Sequence, residues 1–374
     1  MTKINWKEYP QDTKEIELTE VEITEINWEG CPPGLTYIGL YNNNITEMNW
    51  LGCPQGLIKI YLYNNNIKKM NWKDCPPGLT EISLGSNEIT DIDWEGCPPG
   101  LTYINLGNNN IKEMDWEGCP QSLIKIDLYR NQITKINWND CPQELTIIFL
   151  NSNFITHIIW EGCPPGLTEI ELCNNRIEEI NWLRCPRGLT NISLRNNNIL
   201  EMNWLGCPPE LITISLGGNK ISEMNWEGCP QNLTNINLTS NEIMEINWLH
   251  CSQNLTWINL NADEVTNINW IHVPWNLEFH NNRLNNKYRK YKESRNNIPD
   301  LPYIPQRHKN LLDELAHTFH LPPKDNKIGF HSPYYKYELY RNGGIWFRED
   351  MEEHNNMINE MTASKNRRIR KIYF

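Results

Sequence analysis

Cys31-Pro32-Pro33-Gly34-Leu35-Thr36-Tyr37-Ile38-Gly39-Leu40-Tyr41-Asn42-Asn43-Asn44-Ile45-Thr46-Glu47-Met48-Asn49-Trp50-Leu51-Gly52 is one complete unit of the chain, and Cys53 opens the next. Cysteine recurs at 31, 53, 75, 97, 119, 141, 163, 185, 207, 229 and 251, an unbroken spacing of 22 residues, and only Cys173 lies off the series. Tryptophan keeps the same interval three residues ahead of it, from Trp28 and Trp50 through Trp248 to Trp270. A fixed period over about three quarters of a 374-residue chain specifies a solenoid, in which each unit buries its apolar face only against its neighbours.

Within the unit, Ile38 and Leu40 alternate with Tyr37, Gly39 and Tyr41, the period-two pattern of a strand with one buried face. One strand per unit, stacked ~4.8 Å apart, gives a parallel sheet on the order of 55 Å long over about twelve units. The thirteenth position, counted from Cys31 as one, is Asn in Asn43, Asn65 and on to Asn241. It follows the strand where the chain must turn, and its amide offers two donors and an acceptor for backbone groups that the sheet leaves open. The remaining stretch, as in Lys68-Lys69-Met70-Asn71-Trp72-Lys73-Asp74-Cys75-Pro76-Pro77-Gly78, is too short and too rich in Pro and Gly for a regular helix and reads as extended or turn-like.

The pattern L-x-x-I-x-L-x-x-N-x-I recurs at Leu79/Ile82/Leu84/Asn87/Ile89, at Leu123/Ile126/Leu128/Asn131/Ile133 and at Leu233/Ile236/Leu238/Asn241/Ile243. It resembles the leucine-rich repeat, and in length it is similar to the short repeats of secreted bacterial effectors and of giant-virus proteins. The resemblance implies a β-rich, right-handed leucine-rich-repeat solenoid with short parallel strands on the concave face. With no helices to widen the convex side, the curvature is expected to be shallow.

The array has ends. Residues 1–8 supply half a unit, containing Ile4 and Trp6, and Tyr9–Gly30 is a first unit in which Tyr9 replaces Cys and Val21 replaces Asn. At the other end Val273 takes the Cys position, and Leu277-Glu278-Phe279-His280-Asn281-Asn282-Arg283-Leu284 keeps L-x-F-x-x-N-x-L in a unit three residues short. The expected organisation is therefore a cap over 1–8, a solenoid over 9–284, and a basic linker with a small α+β segment over 285–374. In that last segment 285–300 reads as an exposed helix or linker, 310–321 as a helix stopped by Pro322-Pro323, 334–347 as a hairpin and 349–363 as a final helix.

Charge divides the chain. From Asn276 onward there are 18 Lys+Arg against 12 Asp+Glu, which leaves 16 basic and 34 acidic residues for 1–275. An acidic solenoid argues against nucleic acid along its body and favours a basic protein partner, while the basic end around Lys365, Arg367, Arg368, Arg370 and Lys371 suits an acidic surface. The cysteines stand at a separation that a disulfide tolerates. However, Met1-Thr2-Lys3-Ile4-Asn5-Trp6-Lys7-Glu8 already follows the repeat pattern and reads as no secretory signal, so free buried thiols in a cytoplasmic setting are expected. No apolar stretch approaches the ~20 residues of a membrane helix.

Chemistry-bearing motifs are few. His308, His317, His320, His331 and His354 stand in the tail without a cysteine nucleophile; His317 and His320 read as a solvated pair rather than a metal site, and Gly343-Gly344 as a turn rather than a phosphate loop. No cofactor or metal is expected, and no catalytic residue is assigned. The positions that face out of the strands, by contrast, change from unit to unit. Tyr37, Tyr41, Tyr61 and Tyr63 gather at the N-terminal end, Tyr103, Tyr129, Ile147, Phe149 and Phe154 form a second cluster, and Trp257 stands near the far end. Exposed aromatics of this kind anchor protein interfaces. Residues repeated in every unit, such as Trp28, Trp50, Cys31, Cys53, Asn43 and Asn65, are scaffold. The sequence thus reads as a noncatalytic interaction protein using its concave face. The alternatives are a structural component of a virus particle, suggested by the Asn-, Ile- and Lys-rich composition, and an enzyme in the tail.

Overall fold

The computed structural model describes residues 4–261, 265–270 and 272–296. The strands are β1 (Glu15–Glu17), β2 (Tyr37–Gly39), β3 (Lys59–Tyr61), β4 (Glu81–Ser83), β5 (Tyr103–Asn105), β6 (Lys125–Asp127), β7 (Ile147–Phe149), β8 (Glu169–Glu171), β9 (Asn191–Ser193), β10 (Thr213–Ser215), β11 (Asn235–Asn237), β12 (Glu245–Asn247), β13 (Trp257–Asn259), β14 (Asn267–Asn269) and β15 (Glu278–Phe279). All but β12 and β14 form one parallel sheet in chain order. Its register is the sequence period made visible: Ile38 pairs with Ile60, Ile60 with Ile82, and so on to Ile236 with Ile258.

Every strand but the two-residue β15 is three residues long with a central isoleucine turned toward the core; Leu35, Ile38, Leu40 and Ile45 of one unit are fully buried and Trp50 nearly so. A buried Leu or Ile contributes roughly 1.5–3 kcal/mol, and here the same set is repeated in every turn. The first turn is closed by Trp6 in a short 3-10 helix (Trp6–Glu8), stacked on Trp28 with centroids 5.8 Å apart. The side opposite the sheet is extended and turn-like, as read from its Pro and Gly, with one addition: β12 and β14 pair there in register, Ile246 with Ile268.

Two sharp turns punctuate each unit, and both use left-handed backbone. One lies just before the ladder Asn, at Asn42, Asn64, Ser86 and their equivalents, with φ of 57°, 58° and 55°. The other lies just before the Cys position, where Gly30 and Gly52 have φ of 85° and 84°, and where Asp74, Asp140, Arg184, His250 and, before Val273, His272 hold the same conformation without being glycine. Such a residue costs of order 1 kcal/mol, and the neighbouring stacked units hold it in place.

The last turn is cut short. Phe279 pairs with Ile258 at an offset of 21 residues, and Asn281 donates its amide to the Leu260 carbonyl at 3.1 Å. The chain divides after Asn281. Helix α1 (Asn282–Asn296) follows, so that Leu284 belongs to a helix; along it Tyr288 and Tyr291 stack at 6.3 Å and Lys292 lies 4.5 Å from the Tyr288 ring. The segments expected over 310–321, 334–347 and 349–363, the five tail histidines and the basic end from Lys365 lie outside the described residues. Among the described residues no helix is long and apolar enough to cross a membrane.

Candidate partner-binding face

The residues common to every unit are engaged within the scaffold. Asn65 donates its amide to the Leu40 carbonyl of the preceding unit at 2.9 Å and to Leu62 at 3.0 Å, and its Oδ1 accepts from the Ile45 amide at 3.0 Å. Asn43 makes the equivalent bonds, with Val21 and Ile23 as donors. Trp28 and Trp50 donate their indole N–H to the carbonyls of Asn49 and Asn71, each at 2.7 Å, and neighbouring indoles stack, Trp72 on Trp94 at 6.4 Å and Trp204 on Trp226 at 6.2 Å. The Asn or Asp before most of the ladder Trp residues accepts from the amide two residues on, as Asn49 does from Leu51 at 3.1 Å and Asp93 from Glu95 at 3.0 Å, and thereby shapes the turn into Cys.

The cysteines are free thiols, Cys53 buried and Cys31 half-buried. Burial raises the Cys31 thiol to about 12. The Cys53 thiol is raised by burial first and then by its neighbours Cys75 and Cys31. They serve as small apolar groups on the inner surface.

The variable positions build the sheet's open face. At the N-terminal end Tyr37 and Tyr61 meet edge to face, with centroids 5.3 Å apart at 88°, and Tyr41 lies flat on Tyr63 at 4.4 Å and 8°. These rings are oriented by carboxylates. Tyr61 donates its hydroxyl to Glu81 Oε1 at 2.7 Å, and Tyr37 donates to Glu17. The Glu17 side chain lies across Gly39, where any Cβ would overlap it. The Tyr37 hydroxyl is raised by burial and then by the Glu17 bond, and the Tyr61 hydroxyl is raised to about 12, first by its bond to Glu81. Burial works to raise the Glu81 carboxyl, but bonds from Lys59 and Tyr61 outweigh it and hold it below the usual carboxylate range; the Lys59 ion pair measures 2.7 Å.

The second cluster is arranged around a cation. Lys125 lies 4.6 Å from the Phe149 ring centroid and 5.4 Å from that of Tyr103. Tyr129 leans over Gly107, whose missing Cβ leaves the ring its place. Ile147 stands beside Glu169 in the paired strand, and Phe149 beside Glu171. Phe154 is not part of this cluster. It follows the ladder residue Asn153, off the strand face, and lies under the Arg176 guanidinium at 4.5 Å. Trp257 stands alone at the far end, 6.0 Å from the ring of His280.

The rings on the strand face are half-buried by contact with one another. The most exposed aliphatic side chains lie elsewhere: Leu51, Leu183 and Leu205, at 71%, 70% and 79% exposure, all two residues before a ladder cysteine. What reading the aromatics alone misses is the carboxylates among them. Glu15, Glu17, Glu81, Asp127, Glu169 and Glu171 share the face with two cations over β1 to β8, Lys59 and Lys125. The same strand positions in the sequence hold that signal. Glu171 and Asp127 are raised by burial, Glu171 while accepting from Ser193 and lying 3.7 Å from the Cys173 thiol, and Asp127 while accepting from the Tyr129 amide at 3.1 Å.

No protein-family model and no curated protein matches the sequence. Solved structures do match the fold. The functional domain of InlJ from Listeria monocytogenes, which includes a cysteine ladder, is similar with a TM-score of 0.54 at 20% identity; the alignment covers 71% of this chain and 57% of that one. A leucine-rich-repeat protein of Leptospira interrogans gives a TM-score of 0.60 at 20% identity, over 76% of this chain and 83% of that one. Drosophila Toll, solved in complex with Spätzle, gives 0.58 at 19% identity, over 68% of this chain and 39% of that one. The likeness is one of fold: parallel strands, one per repeat, stacked into a solenoid.

Proposed function

We propose that this leucine-rich-repeat solenoid is a noncatalytic interaction protein that binds a basic protein partner through the face made by its strands. One contrast carries the reading. Every position that repeats faithfully is engaged in the scaffold, whereas the outward strand positions vary and place tyrosines in ordered pairs beside carboxylates. Tyrosine anchors contribute large contact area at low entropic cost, and an acidic surface selects basic partners and speeds their approach. The fold supports the reading by analogy, since Toll, which shares it, is solved bound to another protein.

The test is a pulldown from native extract with the intact chain beside a variant carrying Tyr37, Tyr61, Tyr63, Tyr103 and Phe149 changed to Ser, after both are shown to fold. A partner held by the parent and lost by the variant supports the strand face; a partner held equally by both contradicts it.

A further inference from the structure

The two cations of the N-terminal two thirds of the sheet are already committed. Lys59 is paired with Glu81 at 2.7 Å, and Lys125 lies between the Tyr103 and Phe149 rings. Four carboxylates on the same face have no ion pair among the described residues: Glu15 and Glu17 on β1, and Glu169 and Glu171 on β8. The pairs stand seven strand intervals apart, on the order of 33 Å. Between them lie the paired tyrosines of the β2 and β3 units and then Lys125 with its Tyr103 and Phe149 rings. Such a face is aromatic and charge-balanced in the middle, where Lys59 pairs with Glu81 and Lys125 lies near Asp127, and carries its uncompensated negative charge at the two ends.

Resting on the reading that a protein binds here, we infer that the occupant is a single extended segment of about ten residues running across the strands, with cationic side chains at each end and apolar ones between. Charge complementarity assigns the ends. Geometry assigns the length, because a basic group seated on Glu169 and Glu171 reaches Glu15 and Glu17 only through an extended chain of that span. Glu171 offers the tighter seat: its carboxyl is partly withdrawn from water beside Phe149, which can hold the aliphatic stem of an arginine.

The probe is a synthetic peptide with an arginine pair at each end of a centre of about eight Gly, Ser and Leu residues, compared by anisotropy on the full chain with one whose centre is about two residues. The long peptide is expected to bind about tenfold more tightly than the short one, and to weaken about tenfold in each of the variants Glu15→Gln/Glu17→Gln and Glu169→Gln/Glu171→Gln, with the difference shrinking at high salt. Equal binding of the two peptides, or no loss in either variant, would overturn the inference. Failure of the broader reading is a separate result: the Tyr-to-Ser variant keeps its partner in the pulldown. If that variant loses the partner while the peptides bind alike, the strand face stands and the segment model alone falls.

Discussion

Asn109 binds Leu84 across a repeat boundary: its Nδ2 donates to the Leu84 carbonyl, 25 residues earlier, at 3.0 Å. The same amide donates to Leu106 at 3.0 Å, and its Oδ1 accepts from Ile89 at 2.9 Å. One side chain therefore satisfies three buried backbone groups in two successive turns. Stacked units have few other ways to pair those groups, so the ladder couples neighbouring repeats as directly as the sheet does.

Replacing Asn109 by Ala is expected to cost about 2–4 kcal/mol, since each orphaned buried group costs about 1–3 kcal/mol and part of that is recovered by relaxation. Denaturant unfolding measures the loss, and hydrogen exchange should place it at Ile89 and its neighbours. A change under about 0.5 kcal/mol would mean that the ladder is ornamental.

The indoles give a contrast within one molecule. Trp116 donates to the Asn137 carbonyl at 2.7 Å, while the buried Nε1 of Trp226 and Trp248 finds no acceptor among the described residues. These two indoles adjoin the pair of strands β12 and β14, where the usual extended segment has become a ladder of its own. Trp116→Phe should therefore destabilise more than Trp226→Phe, by about 1 kcal/mol. Equal losses in thermal melts of the two variants would remove the hydrogen bond from the account.

The thiols make a prediction about pH. Burial raises Cys75, Cys119 and Cys163 to about 12, so at about pH 8 only about one in ten thousand is thiolate. Alkylation of the native protein should be slow and should keep accelerating as pH rises past about 9, where an ordinary thiol levels off. Cys173, on the strand face and bonded to Ser193 at 2.8 Å, should react first. Mass spectrometry of partly labelled protein reads the order directly.

Glu171 links the face to stability. Its carboxyl is raised by burial, with the Glu169 charge adding to the effect, so ionising it costs the folded state. That cost is absent below the pKa of the unfolded chain and grows as pH rises through the higher folded value. Glu171→Gln should thus raise the melting temperature at about pH 7 and leave it unchanged at about pH 3. A lower melting temperature at neutral pH would show that the charge is compensated.

Much of this was legible in the sequence because the period is unbroken. Ile38, Ile60 and Ile82 must align if every unit has the same length, and their alignment places Trp28 against Trp50 and Asn43 against Asn65. Chemistry that depends on shape rather than on period was harder to read. Asp74 and Arg184 occupy a left-handed turn that Gly30 announces and they do not. Phe154 sits one residue beyond the ladder, and the step off the strand face that removes it from the aromatic cluster follows from the turn conformation of its neighbours. The last unit reads as three residues short in sequence, whereas the register loses one: Leu277 still donates to Pro274 as Leu255 does to Ser252, and Glu278 then pairs with Trp257, so the residue is lost just before the strand.

The central claim is that partners meet the strand face. A photo-crosslinking residue placed at Tyr63, and in a second variant at Glu117 on an exposed turn before a ladder cysteine, tests it in native extract. The account predicts a covalent partner adduct from position 63 and none from position 117; an adduct from position 117 alone would contradict it.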